Sequence, residues 1–136
     1  MVRLRRRFAC WLAFLLLASS FWPATASEQS FPFGSELMLD TAPMRGSKRV
    51  PMLEIEEDGA AAIDLWCARL RGQVTVDDAS ITIVPVVTPQ ARCDPDSEAR
   101  DATLLAMLAQ ATAWRRNGDI VELLGATTLR FRLPTN

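Results

Sequence analysis

The sequence predicts a mainly β domain of α+β type: a compact antiparallel β-barrel or roll of about seven short strands, with one α-helix inserted between the strand groups. Three observations carry this reading. Short apolar stretches recur from Pro51 onward, several with the period of two that sends one strand face inward. Turn signals separate them at Asp58-Gly59, Asp77-Asp78, Asn117-Gly118 and Gly125-Ala126. One stretch, Asp96 to Thr112, shows the 3.6-residue spacing of a helix instead. Meandering hairpins of this kind usually roll into an open barrel or sandwich.

Each element has a local cause. Residues 27–35 read as a tether, with Phe31-Pro32-Phe33 at its docking end. Glu36 to Leu39 can form a first short strand, and the polar stretch Thr41 to Val50 reads as a loop. Met52, Leu53 and Ile55 lead into Glu56-Glu57-Asp58-Gly59, a hairpin turn because glycine accepts positive φ at low cost. Ala60 to Leu65 returns as the partner. Leu70 to Val76 puts Leu70, Gly72, Val74 and Val76 on one face, and Ser80 to Val87 carries the β-branched Ile81, Ile83 and Val84. Asp94-Pro95 supplies an N-cap and a first-position proline, and Asp96 and Glu98 favour the positive end of the helix dipole. Leu104, Leu105, Leu108 and Ala111 make one apolar helix face. Trp114 to Arg116, Ile120 to Leu124 and Thr128 to Leu133 complete the strands. In the last of these Leu129, Phe131 and Leu133 point inward, and Pro134 ends it.

The 136 residues allow one domain. Residues 1–26 read as a signal peptide. Arg3, Arg5, Arg6 and Arg7 form a positive n-region, Phe8 to Trp22 is apolar apart from Ser19 and Ser20, and Ala24-Thr25-Ala26 offers a cleavage site. An uncleaved anchor is the rival reading, but the dense apolar core falls short of the ~20 residues a spanning helix needs. Arg5-Arg6-Arg7-Phe8 also allows twin-arginine rather than ordinary secretory export. The expected address is therefore periplasmic or secreted, with no stable membrane span after cleavage. The mature chain keeps 11 of the 15 basic residues and all 16 acidic ones, a net charge of −5. That balance argues against nucleic acid as a partner, because phosphate contacts need clustered Lys and Arg.

Cleavage leaves two cysteines, Cys67 and Cys93, with one possible intramolecular pairing. In an exported small domain an even count reads as a disulfide, and two buried free thiols are the alternative. The bridge would contribute roughly 3.5 kcal/mol in the chain-entropy model.

The chain has no histidine and no tyrosine. Ser-His-Asp, Cys-His and His-ligated metal chemistry therefore have no residues to work with. No catalytic set, metal site or cofactor motif emerges, and the alternation of Asp94, Asp96 and Glu98 reads as helix-start acidity rather than a cation loop. Trp66 and Trp114 read first as core. Exposed beside Phe31 and Phe33, they would form a binding patch.

The order of these features resembles the META/HslJ domain family over roughly Leu37 to Leu133, placing the domain at residues 36–134. A turn hairpin precedes Cys67 and the Gly72 strand. Then come Thr88-Pro89-Gln90-Ala91-Arg92-Cys93, an acidic helix start, a Leu-rich helix and a closing Leu-x-Phe strand. The family's Gly-Cys-Asn signature is replaced here by Asp64-Leu65-Trp66-Cys67-Ala68. The resemblance implies an envelope protein without enzymatic activity, in a family that includes heat-shock, stress and drug-tolerance proteins. The expected role is binding an envelope protein or an apolar ligand. The alternative is a small secreted inhibitor of a hydrolase such as lysozyme.

Overall fold

A computed structural model describes residues 30–45, 49–87 and 93–135. The leader expected at 1–26, the start of the tether and the stretch 88–92 quoted for the resemblance lie outside the described residues.

Eight strands close into an antiparallel barrel in sequence order. They are β1 (Leu37–Leu39), β2 (Met52–Ile55), β3 (Ala60–Asp64), β4 (Arg69–Asp77), β5 (Ser80–Val86), β6 (Ala113–Asn117), β7 (Ile120–Leu124) and β8 (Leu129–Arg132), with helix α1 (Pro95–Ala109) between β5 and β6. The three-residue β1 closes the ring by pairing with β2 through Leu37↔Leu53 and with β8 through Leu39↔Phe131. The period of two fills the interior: Leu37, Leu53, Ile55, Ile63, Ile81, Val121, Leu123 and Phe131 are all fully buried. Burying each such side chain contributes about 1.5–3 kcal/mol.

The turns work as local chemistry dictates, with one shift of register. Gly59 sits at φ +85°, and a Cβ there would lie 2.4 Å from the Val74 carbonyl oxygen, so the position admits only glycine. In the β6–β7 hairpin Asn117 pairs with Ile120, so the two central residues are Gly118 and Asp119 rather than Asn117 and Gly118. Gly118 takes φ +60° at the first central position, the pattern of a type II′ turn.

Helix α1 begins where the sequence places it but ends three residues before Thr112. Thr112 is drawn into the sheet: its N–H donates to Leu124 O at 2.9 Å and its carbonyl accepts from Ile81 N at 3.1 Å. Two sheet bonds outweigh another residue of helix. β5 and β6 then diverge, pairing only at Ser80↔Ala113, and α1 packs against β5. The two-residue turn makes Asp77↔Ser80 a hydrogen-bonded pair, so the even-numbered residues of β5 bond to β4. Pro85 therefore faces the diverging edge, where its missing N–H removes a donor from an otherwise receptive strand.

The two mouths of the barrel are closed differently. At the end holding the β2–β3 and β4–β5 turns, Phe31 is buried and stacks edge-on against Trp114, with centroids 4.9 Å apart. At the other end lie the β1–β2 loop, the β3–β4 loop and α1.

Candidate functional site

The α1 mouth is built around one carboxylate. Asp101 lies on the helix face shared by Ser97, Leu104 and Leu108, and only 6% of it is exposed. Three consecutive backbone N–H groups of the β3–β4 loop donate to it. Trp66 N reaches Oδ1 at 2.9 Å, and Cys67 N and Ala68 N reach Oδ2 at 3.1 and 2.8 Å. The loop could not otherwise satisfy these donors, because the tight turn uses only Leu65 N–H and Ala68 C=O within itself. A carboxylate meets all three with charge-assisted bonds.

The same loop is tied to the helix a second time. Cys67 and Cys93 form the expected disulfide across 26 positions, with Cα atoms 6.1 Å apart, inside the ordinary range. Asp94 follows at once and caps α1, accepting from Ser97 N at 2.9 Å and from Ser97 Oγ at 2.6 Å. The Ser97 hydroxyl, then the Ser97 N–H, hold the Asp94 carboxyl below the usual aspartate range.

Around these ties open a cleft and a groove. The cleft, about 1010 Å³, lies between the β1–β2 loop at Thr41–Arg45 and the start of α1, with Arg49, Trp66, Asp96 and Arg100 on its walls. The groove, about 510 Å³, runs between α1 and the β1–β8 seam over Leu39, Leu104, Met107 and Leu129. The two meet at Thr41, Trp66 and Arg100, which line both. Trp66 is half-buried, and its indole N–H is buried with no acceptor among the described residues.

The acidic groups near this mouth are largely committed. Asp101 holds the loop, Asp94 caps the helix, and Asp40 pairs with Arg132 at 2.8 Å. Arg49 donates to Cys67 O at 3.3 Å. Arg45 and Arg100 make no hydrogen bond or ion pair among the described residues. The mouth thus presents guanidinium groups, an indole and an apolar floor.

The four aromatic residues singled out from sequence do not come together. Phe31, Phe33 and Trp114 gather at the opposite mouth, with Phe31–Phe33 centroids at 4.9 Å. Trp114 is 8% exposed and its indole N–H donates to Asp78 O at 2.8 Å, pinning the β4–β5 turn; only Phe33 is open to solvent. Trp66 precedes β4 and Asp78 follows it, so roughly 26 Å of strand separates them at ~3.3 Å per residue. Sequence reading missed Asp101, Arg100 and Met107. For Asp101 a signal existed: an aspartate three and seven residues before Leu104 and Leu108 falls on the apolar face, where a charge persists only if bonded.

A second group of exposed apolar residues lies at the end of β5, Val84 and Val86 on the strand and Val87 just after it, Val87 to 71%. Among the described residues no group of His, Cys, Asp and Glu could hold a metal ion, and no helix is long and apolar enough to cross a membrane.

Comparison with known proteins bears on the fold. The family profile described as META domain matches residues 34–134. An NMR structure of a protein superposes with a TM-score of 0.58 at 19% identity, over 74% of this chain and 89% of that one. A crystal structure of a duf4847 family protein from Bacteroides vulgatus ATCC 8482 gives a TM-score of 0.51 at 15% identity, over 60% of this chain and 57% of that one. No curated protein matches.

Proposed function

From the premise that the chain belongs to the META domain family, we propose that it is a non-enzymatic binding module of the cell envelope whose ligand seats at the Trp66 mouth. One observation carries the reading. A half-buried tryptophan whose indole N–H has no acceptor among the described residues stands where a cleft and an apolar groove meet. Buried polar groups without partners are few in folded proteins, and each calls for a reason. Concave apolar sites with a few polar groups are where ligands bind. The leader expected from the sequence at 1–26 and the disulfide support the envelope as the compartment.

The reading has a direct test. Mature domain on a resin is exposed to periplasmic extract, with and without heat stress, beside Trp66→Ala and Met107→Glu versions. The expected result is a retained species that both substitutions release. Equal retention by all three resins, or none above background, refutes the reading. Intact mass of the exported protein beginning at Ser27, with no alkylatable thiol, tests the compartment.

An inhibitor of a basic hydrolase would need an acidic contact face. At this mouth the uncommitted charges include Arg45 and Arg100, so the mouth does not favour that alternative. No inhibition of lysozyme at micromolar excess is expected.

A further inference from the structure

We propose that the ligand of the Trp66 mouth is a small soluble amphiphile with an apolar body and a single carboxylate, the body in the groove and the acid on Arg100 and Arg45. This deepens the binding reading above and rests on it. Four observations point to this class.

The groove has the size of a small-molecule site: about 510 Å³, within the ~300–1,000 Å³ such sites occupy. Its floor is Leu39, Leu104, Met107 and Leu129, which suits a hydrocarbon or aryl body. The groove runs into the cleft at Arg100, and the cleft holds Arg45 and Arg49 on its far side. A body lying in the groove therefore puts its end group against guanidinium, whose planar fork matches a carboxylate.

The charge of that end group follows from the neighbours. Cleft and groove together carry Arg45, Arg49, Arg100 and Arg130 against Asp40, Asp94 and Asp96, a local balance of +1 on a mature chain of −5. Asp40 is bound to Arg132, and Asp94 is turned into the helix cap. Asp96 stands one turn before Arg100 and offsets part of its charge. One negative charge is therefore favoured, and a second would face Asp96. A cationic end group would meet Arg45 and Arg100, which have no carboxylate partner among the described residues.

The indole supplies the fourth observation. The Trp66 N–H lacks an acceptor among the described residues, and a carboxylate arriving at Arg100 brings oxygen lone pairs to a residue that lines both spaces. Turning the indole toward that oxygen relieves a donor now buried without a partner.

The mature chain contains two tryptophans, so its indole N–H spectrum has two signals, and Trp114, bonded to Asp78 O, is the internal reference. Nitrogen-15-labelled mature protein, disulfide intact, is titrated with laurate below its micelle concentration. Dodecyltrimethylammonium and dodecyl phosphate serve as charge variants on the same body. Laurate is expected to move the Trp66 signal to saturation and leave Trp114 in place. The cation should bind at least tenfold more weakly, and the phosphate more weakly as it gains its second charge near pH 8. Arg100→Glu should cost laurate about tenfold and abolish its advantage over the cation. Met107→Glu should weaken laurate with Arg100 intact, and an unmoved Trp114 signal reports that each variant folds.

Equal shifts by laurate and the cation overturn the proposal while leaving an apolar binding mouth. A Trp66 signal that moves on dilution without any amphiphile assigns the groove to a second copy and also overturns it. If no amphiphile moves Trp66 but the resin still retains its Trp66-dependent species, the amphiphile falls and the binding reading stands. If both fail, both fall.

Discussion

Removing the Asp101 carboxylate should destabilise the domain through the loop it holds. In Asp101→Ala the N–H groups of Trp66, Cys67 and Ala68 lose their shared acceptor at once. A buried donor left without a partner costs about 1–3 kcal/mol. The loop is half-buried, so water can reach part of it, and the lower end applies: about 3 kcal/mol for the three together. Against a total of about 5–15 kcal/mol that is a large fraction. A domain of about 100 residues loses ~4–8 °C of Tm per kcal/mol, which gives a fall of roughly 12–24 °C. Asp101→Asn isolates the chemistry from the volume. Its single carbonyl oxygen can accept from Cys67 and Ala68, but the amide NH2 then faces the Trp66 N–H, or the reverse. At least one bond of three is lost and a donor meets a donor, so about 1–2 kcal/mol is expected.

The assay is urea unfolding of residues 27–136 with the disulfide intact, comparing midpoints at constant slope. Amide hydrogen exchange gives the local reading: protection at Trp66, Cys67 and Ala68 should disappear in Asp101→Ala while β6–β8 stay protected. An Asp101→Ala protein within 0.5 kcal/mol of wild type, or an Asn variant as damaging as Ala, would show that the carboxylate does not hold the loop.

Other expectations follow from the same geometry. Asp94 has its carboxyl depressed by the Ser97 hydroxyl and N–H. Its contribution is complete above the unfolded aspartate value of about 3.9 and is lost as pH falls through the lower folded value; the urea midpoint should thus depend less on pH below about 4 in Asp94→Asn than in wild type. Gly59→Ala combines φ +85° with a Cβ 2.4 Å from Val74 O, whereas Gly118→Ala has φ +60° and open space around it. Strain alone costs about 1–2 kcal/mol, so Gly118→Ala should lose about that much and Gly59→Ala at least 1 kcal/mol more in the same unfolding assay. Pro85→Val restores an N–H on the diverging β5 edge beside Val84, Val86 and Val87; light scattering should show concentration-dependent association that wild type lacks.

The barrel was legible because its information is local. Alternation at Leu129, Phe131 and Leu133, the Asp58-Gly59 turn and the Asp94-Pro95 helix start each express a preference of a few neighbouring residues, and all eight strands form where such preferences lie. Errors came where tertiary bonds outvoted them, as at Thr112, taken from the helix by Leu124 and Ile81. The mouth was not legible for a different reason. Nothing near Trp66 announces that its backbone will be held by a carboxylate 35 residues away, and nothing near Arg100 announces the loop it faces.

The loop's own sequence sharpens the point. Where the family signature has Gly-Cys-Asn, this chain has Trp66-Cys67-Ala68, two side chains that cannot accept a backbone N–H. An asparagine in such a loop can satisfy its neighbours' donors from within, as Asx turns do. Here the acceptor is supplied from across the mouth by Asp101, and the disulfide fastens the same three residues to the start of the helix. That division frees the loop's side chains from holding its backbone. The position before Cys67 can then carry an indole, one of the three side chains at which the cleft meets the groove. On this argument Trp66→Gly with Ala68→Asn, which restores the signature, should keep the fold, lower the dependence on Asp101, and remove the Trp66-dependent retention proposed above. A restored variant that unfolds as readily as Asp101→Ala would break the link between the loop's support and its role.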